Sequence, residues 1–158
     1  QGENGGTVGG WSFVGMPDLY QAVRNTGADN IILVSGINWA YSLAEVLTRP
    51  LANGYNIGYV THLYNYNGKQ PADWQNDWLF VAESAPVFIT EFGNGGSGPM
   101  NGDDYVDQVL STASANDIHW TAWALFPFGN NAMVQGSWDP AANHFPLTGY
   151  GTVVQNAI

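Results

Sequence analysis

Glu91 is the residue best placed to do chemistry. It lies in Pro86-Val-Phe-Ile-Thr-Glu91-Phe-Gly93, where an apolar run of strand length ends in a carboxylate and a glycine follows at once. A carboxylate at the tip of a buried strand can serve as nucleophile, base or acid. His62 and Tyr64 end a second such run, Asn56-Ile-Gly-Tyr-Val-Thr-His62-Leu-Tyr64, and either could hydrogen-bond a carboxylate and orient it. Trp120-Thr-Ala-Trp123 repeats the plan with an aromatic at the strand's end, and Asn38-Trp39 follows a further strand. A sugar ring presents an apolar C–H face that packs on aromatic rings. The pattern therefore points to a saccharide cleft, with Asn38, Trp39 and Trp123 at its rim and Trp138 reaching it from the last long loop. Enzymes that cut glycosidic bonds normally use two carboxylates, and no second one ends a comparable run. The blander alternatives are a solvated rim glutamate, a core histidine and tryptophans that only fill the interior.

Other chemistries find less support. His62, His119 and His144 show no ligand spacing, so no metal is expected. Asp103 and Asp104 read as acids at a helix N-terminus. Gly93-Asn-Gly-Gly-Ser-Gly98 lacks the Lys-Ser/Thr of a phosphate loop. No Gly-x-Ser-x-Gly nucleophile motif occurs. With no cysteine, thiolate chemistry is excluded.

The elements that must hold these residues alternate. Residues 1–10 read as an N-terminal arm. Met16 to Thr26 reads as a helix stopped by Gly27. Asn30 to Gly36 is a continuous apolar strand expected to be buried on both faces. A loop at 38–41 leads to a short helix over Ser42 to Arg49. Asn56 to Tyr64 is the second strand, and 65–72 a polar loop. Trp74 to Ser84 is a helix with Trp78 and Val81 inward. Pro86 to Phe92 is the third strand, and a glycine-rich loop runs on to Gly102. A helix from Asp103 to Asn116 precedes a fourth strand from Ile118 to Phe126. Residues 128–148 read as an irregular loop and 149–158 as a closing helix. Strand and helix alternating at this spacing make parallel βαβ units. Four units give an α/β fold, either half of an eight-fold barrel or a small open sheet. In a barrel, chemistry gathers at the C-terminal ends of the strands, where Glu91, His62, Tyr64, Asn38, Trp39 and Trp123 all fall.

Composition narrows the partners. The chain has 158 residues, expected as a single domain, and no run long and apolar enough to span a bilayer. Charged residues make up only 10% against roughly 25% in an average protein. The net charge is −10, with Arg24, Arg49 and Lys69 the only cations besides histidine. Too few cations exist to neutralise phosphates, so neither nucleic acid nor an anionic membrane is an expected partner. A weakly charged, Asn- and Gly-rich surface suits a secreted protein acting on a neutral polymer. A chain opening on Gln1 reads as processed or partial.

Several blocks in order resemble glycoside hydrolase family 5, the cellulase family: Gly15 to Gly36 with Asn38-Trp39-Ala, Tyr59 to Tyr64, Ile89-Thr-Glu91-Phe-Gly93 and Trp120-Thr-Ala-Trp123. The resemblance implies a TIM-type (β/α) half-barrel, strands five to eight of the family's eight, with β-1,4-glucan as substrate and no cofactor. It implies Glu91 as nucleophile, His62 and Tyr64 as its supports, and Trp123 as a platform under the sugar. The family's Asn-Glu-Pro motif, which carries the general acid, is absent; Glu3 stands in Gly-Glu-Asn instead. An isolated half-barrel exposes two edge strands and its inner face, so a homodimer or a complementary N-terminal half-barrel is the expected partner. A glucan-binding module without catalysis is the alternative, an inert fragment the third reading.

Overall fold

The computed structural model describes residues 5–51 and 54–158. Residues 1–4 of the expected arm, Glu3 among them, lie outside the described residues. The rest of that stretch is no loose arm. Gly6–Val8 (β1) and Trp11–Phe13 (β2) pair antiparallel, with Val8 opposite Trp11. Gly9 and Gly10 take the positive φ values, 57° and 83°, that a two-residue hairpin turn requires. Met16–Arg24 (α1) carries Pro17 in its first turn, where the fixed proline φ is already helical. Gly27, at φ 82°, ends the turn beyond it.

Ile32–Ser35 (β3) leads into Ile37–Ala40 (α2), a single turn in which Asn38, Trp39 and Ala40 all take left-handed φ near 60°. Ile57–Tyr64 (β4), Val87–Gly93 (β5) and His119–Trp120 (β6) complete a parallel sheet ordered β3-β4-β5-β6. Parallel neighbours need crossovers. Trp74–Asp77 (α3) with a 3₁₀ turn over Leu79–Glu83 joins β4 to β5, and Gly102–Ala115 (α4) joins β5 to β6. Gly149–Asn156 (α5) closes the chain. Asn101 caps α4 by accepting from the Asp103 N–H at 2.9 Å, with Asp103 and Asp104 in the first turn. Thr148 caps α5 through the Gly151 N–H at 3.0 Å.

The core lies on one side of the sheet. Leu63, Ile89 and Phe92 of the strands pack with Trp74, Trp78 and Val81, with Tyr105, Val106 and Val109 of α4, and with Tyr150 of α5. These side chains are almost fully buried, and each removes apolar surface worth about 1.5–3 kcal/mol from water. The other face has no such layer. Leu33 and Phe88 stand over Gly58, and the Phe88 and His119 rings stack at 6.1 Å. Leu33 is 49% exposed.

Beyond the hairpin, four elements differ from expectation. β3 is not buried on both faces: Val34 is covered, while Leu33 and Ser35 face the open side. No helix forms over Ser42 to Arg49. The Val46 and Thr48 N–H groups reach back only three residues, to Leu43 and Glu45, that of Arg49 alone reaches back four, and the Leu43 N–H is taken by the Asp77 carbonyl at 2.7 Å. The helix after β4 breaks at Trp78, φ −154°. The run Trp78-Leu-Phe-Val-Ala has no 3.6-residue period, and a tighter 3₁₀ turn lets Trp78 and Val81 both face inward. The fourth strand is two residues long. Beyond it the Tyr150 hydroxyl lies 2.8 Å from the Phe92 carbonyl and 3.1 Å from that of Trp123. Backbone bonds to β5 still run on past the strand, Thr121 N–H to the Ile89 carbonyl at 2.9 Å and Trp123 N–H to the Phe92 carbonyl at 2.8 Å, but no longer as a regular strand.

Candidate active site

β4 and β5 pair in register from Tyr59–Val87 to Thr61–Ile89, and then one residue is skipped. His62 pairs with Glu91, leaving Thr90 as the extra residue of a bulge. Bulges of this kind re-aim side chains. Ile89 and Phe92 stay buried in the core, while Thr90 and Glu91 both meet His62. The His62 Nε2 is 3.0 Å from Thr90 Oγ1, and its Nδ1 is 3.5 Å from Glu91 Oε2. A carboxylate only accepts, so a hydrogen shared between His62 and Glu91 sits on Nδ1. Tyr64 donates to the same Glu91 Oε2 at 2.9 Å. Burial first, and then the bond to Glu91, push the Tyr64 hydroxyl well above the usual phenol range. It therefore remains a donor throughout the neutral range. Glu91 Oε1 is left for other contacts.

Glu91 opens into a cleft of about 600 Å³ lined by Asn38, Trp39, His62, Tyr64, Tyr66 and Lys69. The expected residues Asn38, Trp39, His62, Tyr64 and Glu91 thus come together at the C-terminal end of the sheet. Trp123 and Trp138 are not in its lining. Trp123 is 47% exposed and meets Phe126 at 6.4 Å, and Trp138 packs edge-on against Phe145 at 5.2 Å. A second cavity of about 410 Å³, near Met16, Val34 and Tyr59, has neither carboxylate nor histidine in its lining. Among the described residues, no three His, Asp or Glu side chains gather as metal ligands.

Sequence reasoning missed Thr90, Tyr66 and Lys69. Thr90 becomes a site residue only through the bulge. Lys69 could have been noticed as one of three Lys and Arg residues in so acidic a chain. Gly93 has a steric role: a Cβ there would collide with Asn131 Oδ1, which accepts from the Gly95 N–H at 2.6 Å.

Residues 16–129 match the cellulase family, glycosyl hydrolase family 5. The chain belongs to that family. Solved structures share its fold. A β-glucanase of Saccharophagus degradans in complex with cellotetraose is 22% identical with a TM-score of 0.70, the match covering 90% of this chain and 47% of that one. The catalytic domain of a Thermobifida fusca endoglucanase is 25% identical with a TM-score of 0.65, covering 85% and 48%. The catalytic domain of an alkaline cellulase is 19% identical with a TM-score of 0.58, covering 94% and 53%. No curated protein sequence matches. This family 5 chain therefore spans about half the length of its structural relatives, and its sheet is half of a TIM-type barrel.

Proposed function

We propose that this chain is the nucleophile-bearing half of a β-1,4-glucan hydrolase, with Glu91 as nucleophile. The observation that carries the reading is the doubly faced Glu91 oxygen, Tyr64 at 2.9 Å and His62 at 3.5 Å, beside an open cleft flanked by Trp39. Tyr64 and His62 fix one carboxylate oxygen and leave the other to attack the anomeric carbon. As that bond forms, the bond to the leaving oxygen breaks, and that oxygen takes up a proton. Trp39 supplies a flat face for a sugar ring, Asn38 a polar edge, and Trp123 and Trp138 extend the aromatic surface along the chain. The cellotetraose held by the Saccharophagus relative supports a β-glucan ligand. A secreted setting suits such a polymer.

No second carboxylic acid lines the cleft among the described residues. Proton donation of this kind is worth about 10²–10⁴-fold, so the acid must come from outside this sheet. A second copy, or a complementary N-terminal half-barrel, would cover the open face of Leu33 and Phe88. In a two-fold pair, two Glu91 residues would meet at one rim. A separation of about 5–5.5 Å would give retention and about 6.5–9.5 Å inversion. The missing acid also favours a second reading, a glucan-binding module that does not cleave. Release of nitrophenol from an aryl β-cellobioside, compared between the chain and Glu91→Gln, tests the proposal. We expect turnover that the substitution abolishes. Equal background rates with retained glucan binding would favour the module.

A further inference from the structure

The left-handed turn that presents Trp39 has a support outside itself. Asn38, Trp39 and Ala40 hold φ of 59°, 58° and 61° in succession. Non-glycine residues adopt this conformation at a cost, and such strain persists only where the surroundings enforce it. Paired Ile37–Ser42 backbone bonds close the turn and buried Tyr41 anchors its far end, but Trp39 itself is 88% exposed and gains no such support from the core. Lys69 reaches across from the loop after β4. Its Nζ donates to the Asn38 carbonyl at 3.2 Å, lies 4.7 Å from the Tyr41 ring centre and 5.8 Å from that of Trp39. The base of Lys69 is rigid, because its carbonyl accepts from Tyr105 Oη at 3.1 Å and from Trp74 Nε1 at 3.2 Å. Trp74 and Tyr105 are both buried core residues. A continuous strut therefore runs from the core through Lys69 to the turn that carries Trp39. Arg24 and Arg49 are engaged elsewhere, on the Tyr55 and Ala28 carbonyls and on Glu45.

We infer that Lys69 is a positioning residue for Trp39, which it clamps as a fixed platform for one sugar ring of a neutral glucan. The ammonium bonds the turn's first left-handed residue and sits against two aromatic faces, an attraction strongest over tryptophan and tyrosine. A preordered platform spares the bound state the cost of ordering it, so the clamp acts on affinity. The inference rests on the β-glucan reading of the cleft, and its test separates the two.

The test uses cellotetraose binding by calorimetry and the Trp39 indole N–H signal in NMR relaxation, assigned through Trp39→Phe. Lys69→Met should weaken cellotetraose about three- to tenfold and make the Trp39 indole mobile on the nanosecond timescale. Lys69→Arg, which keeps the cation, should restore most of both. Adding Lys69→Met to Trp39→Phe should cost no further affinity, since the two act as one unit. A Trp39 signal equally rigid in Lys69→Met, or losses that simply add, would overturn the inference. If the unsubstituted chain fails to bind cellotetraose, the glucan reading falls, while the indole relaxation still decides whether Lys69 holds Trp39.

Discussion

Glu91 is oriented by two neighbours on one strand. Tyr64 and His62 both address Oε2, at 2.9 Å and 3.5 Å. A hydrogen bond to an ionised partner is worth about 1.5–3 kcal/mol. Tyr64→Phe removes it without moving the ring, so kcat/KM for an aryl β-cellobioside should fall roughly 10- to 100-fold while KM changes little. A change confined to KM would mean that Tyr64 binds sugar and does not orient the carboxylate. The identities of these residues were legible in the sequence, because each ends an apolar run of strand length. Thr90 and Lys69 were not. Thr90 enters the site through a bulge that leaves no compositional mark. Lys69 enters by the reach of a long side chain from a loop.

At the scale of elements, β4 and β5 carry the site and the segment after β6 braces it. That segment is held by close backbone approach at Gly151, where a Cβ would collide with the Met133 backbone oxygen. Gly151→Ala should therefore cost about 1–3 kcal/mol, read as a lower urea midpoint with an unchanged slope. A midpoint equal to the parent's would mean that the last loop yields freely. The strands β4 and β5 and the helix α4 were readable because their periodicity is clean and their caps are explicit. The hairpin was signalled by Gly9-Gly10 and overlooked in a glycine-rich stretch. The shortness of β6 was not readable: the apolar run continues past Trp120, and the chain leaves the regular strand while Thr121 and Trp123 still bond β5. The helix expected after Ser42 had the right residues, but the segment turns through three-residue bonds, and its Leu43 N–H is taken by the distant Asp77 carbonyl.

At the scale of the whole molecule, four tyrosine hydroxyls are pushed well up, three of them on buried residues and that of Tyr64 on a half-buried one. Burial is the largest cause for Tyr41, Tyr64, Tyr105 and Tyr150, with Asp77 adding at Tyr41 and Glu91 at Tyr64. In the unfolded chain a tyrosine releases its proton near about pH 10. Folding keeps these groups protonated above that point, so their stabilisation is complete below about pH 10 and is lost as pH rises toward the folded values. Urea midpoints should be flat to about pH 9 and then fall steeply, with a shallower fall in Tyr150→Phe. A flat profile to about pH 11 would contradict this. At the same scale, among the described residues, Glu91 is the only carboxylate lining the cleft, and on that ground we propose the nucleophile in this chain and the acid in a partner. Covalent trapping tests that assignment most directly. A 2-fluoro cellobioside with a dinitrophenolate leaving group needs no acid, because the departing oxide is stable without a proton. Attack by the Glu91 carboxylate would expel it and leave an ester that mass spectrometry detects. The account predicts one cellobiosyl adduct on the peptide containing Glu91 and none in Glu91→Gln. An unlabelled chain at saturating reagent, or label on another residue, would contradict it.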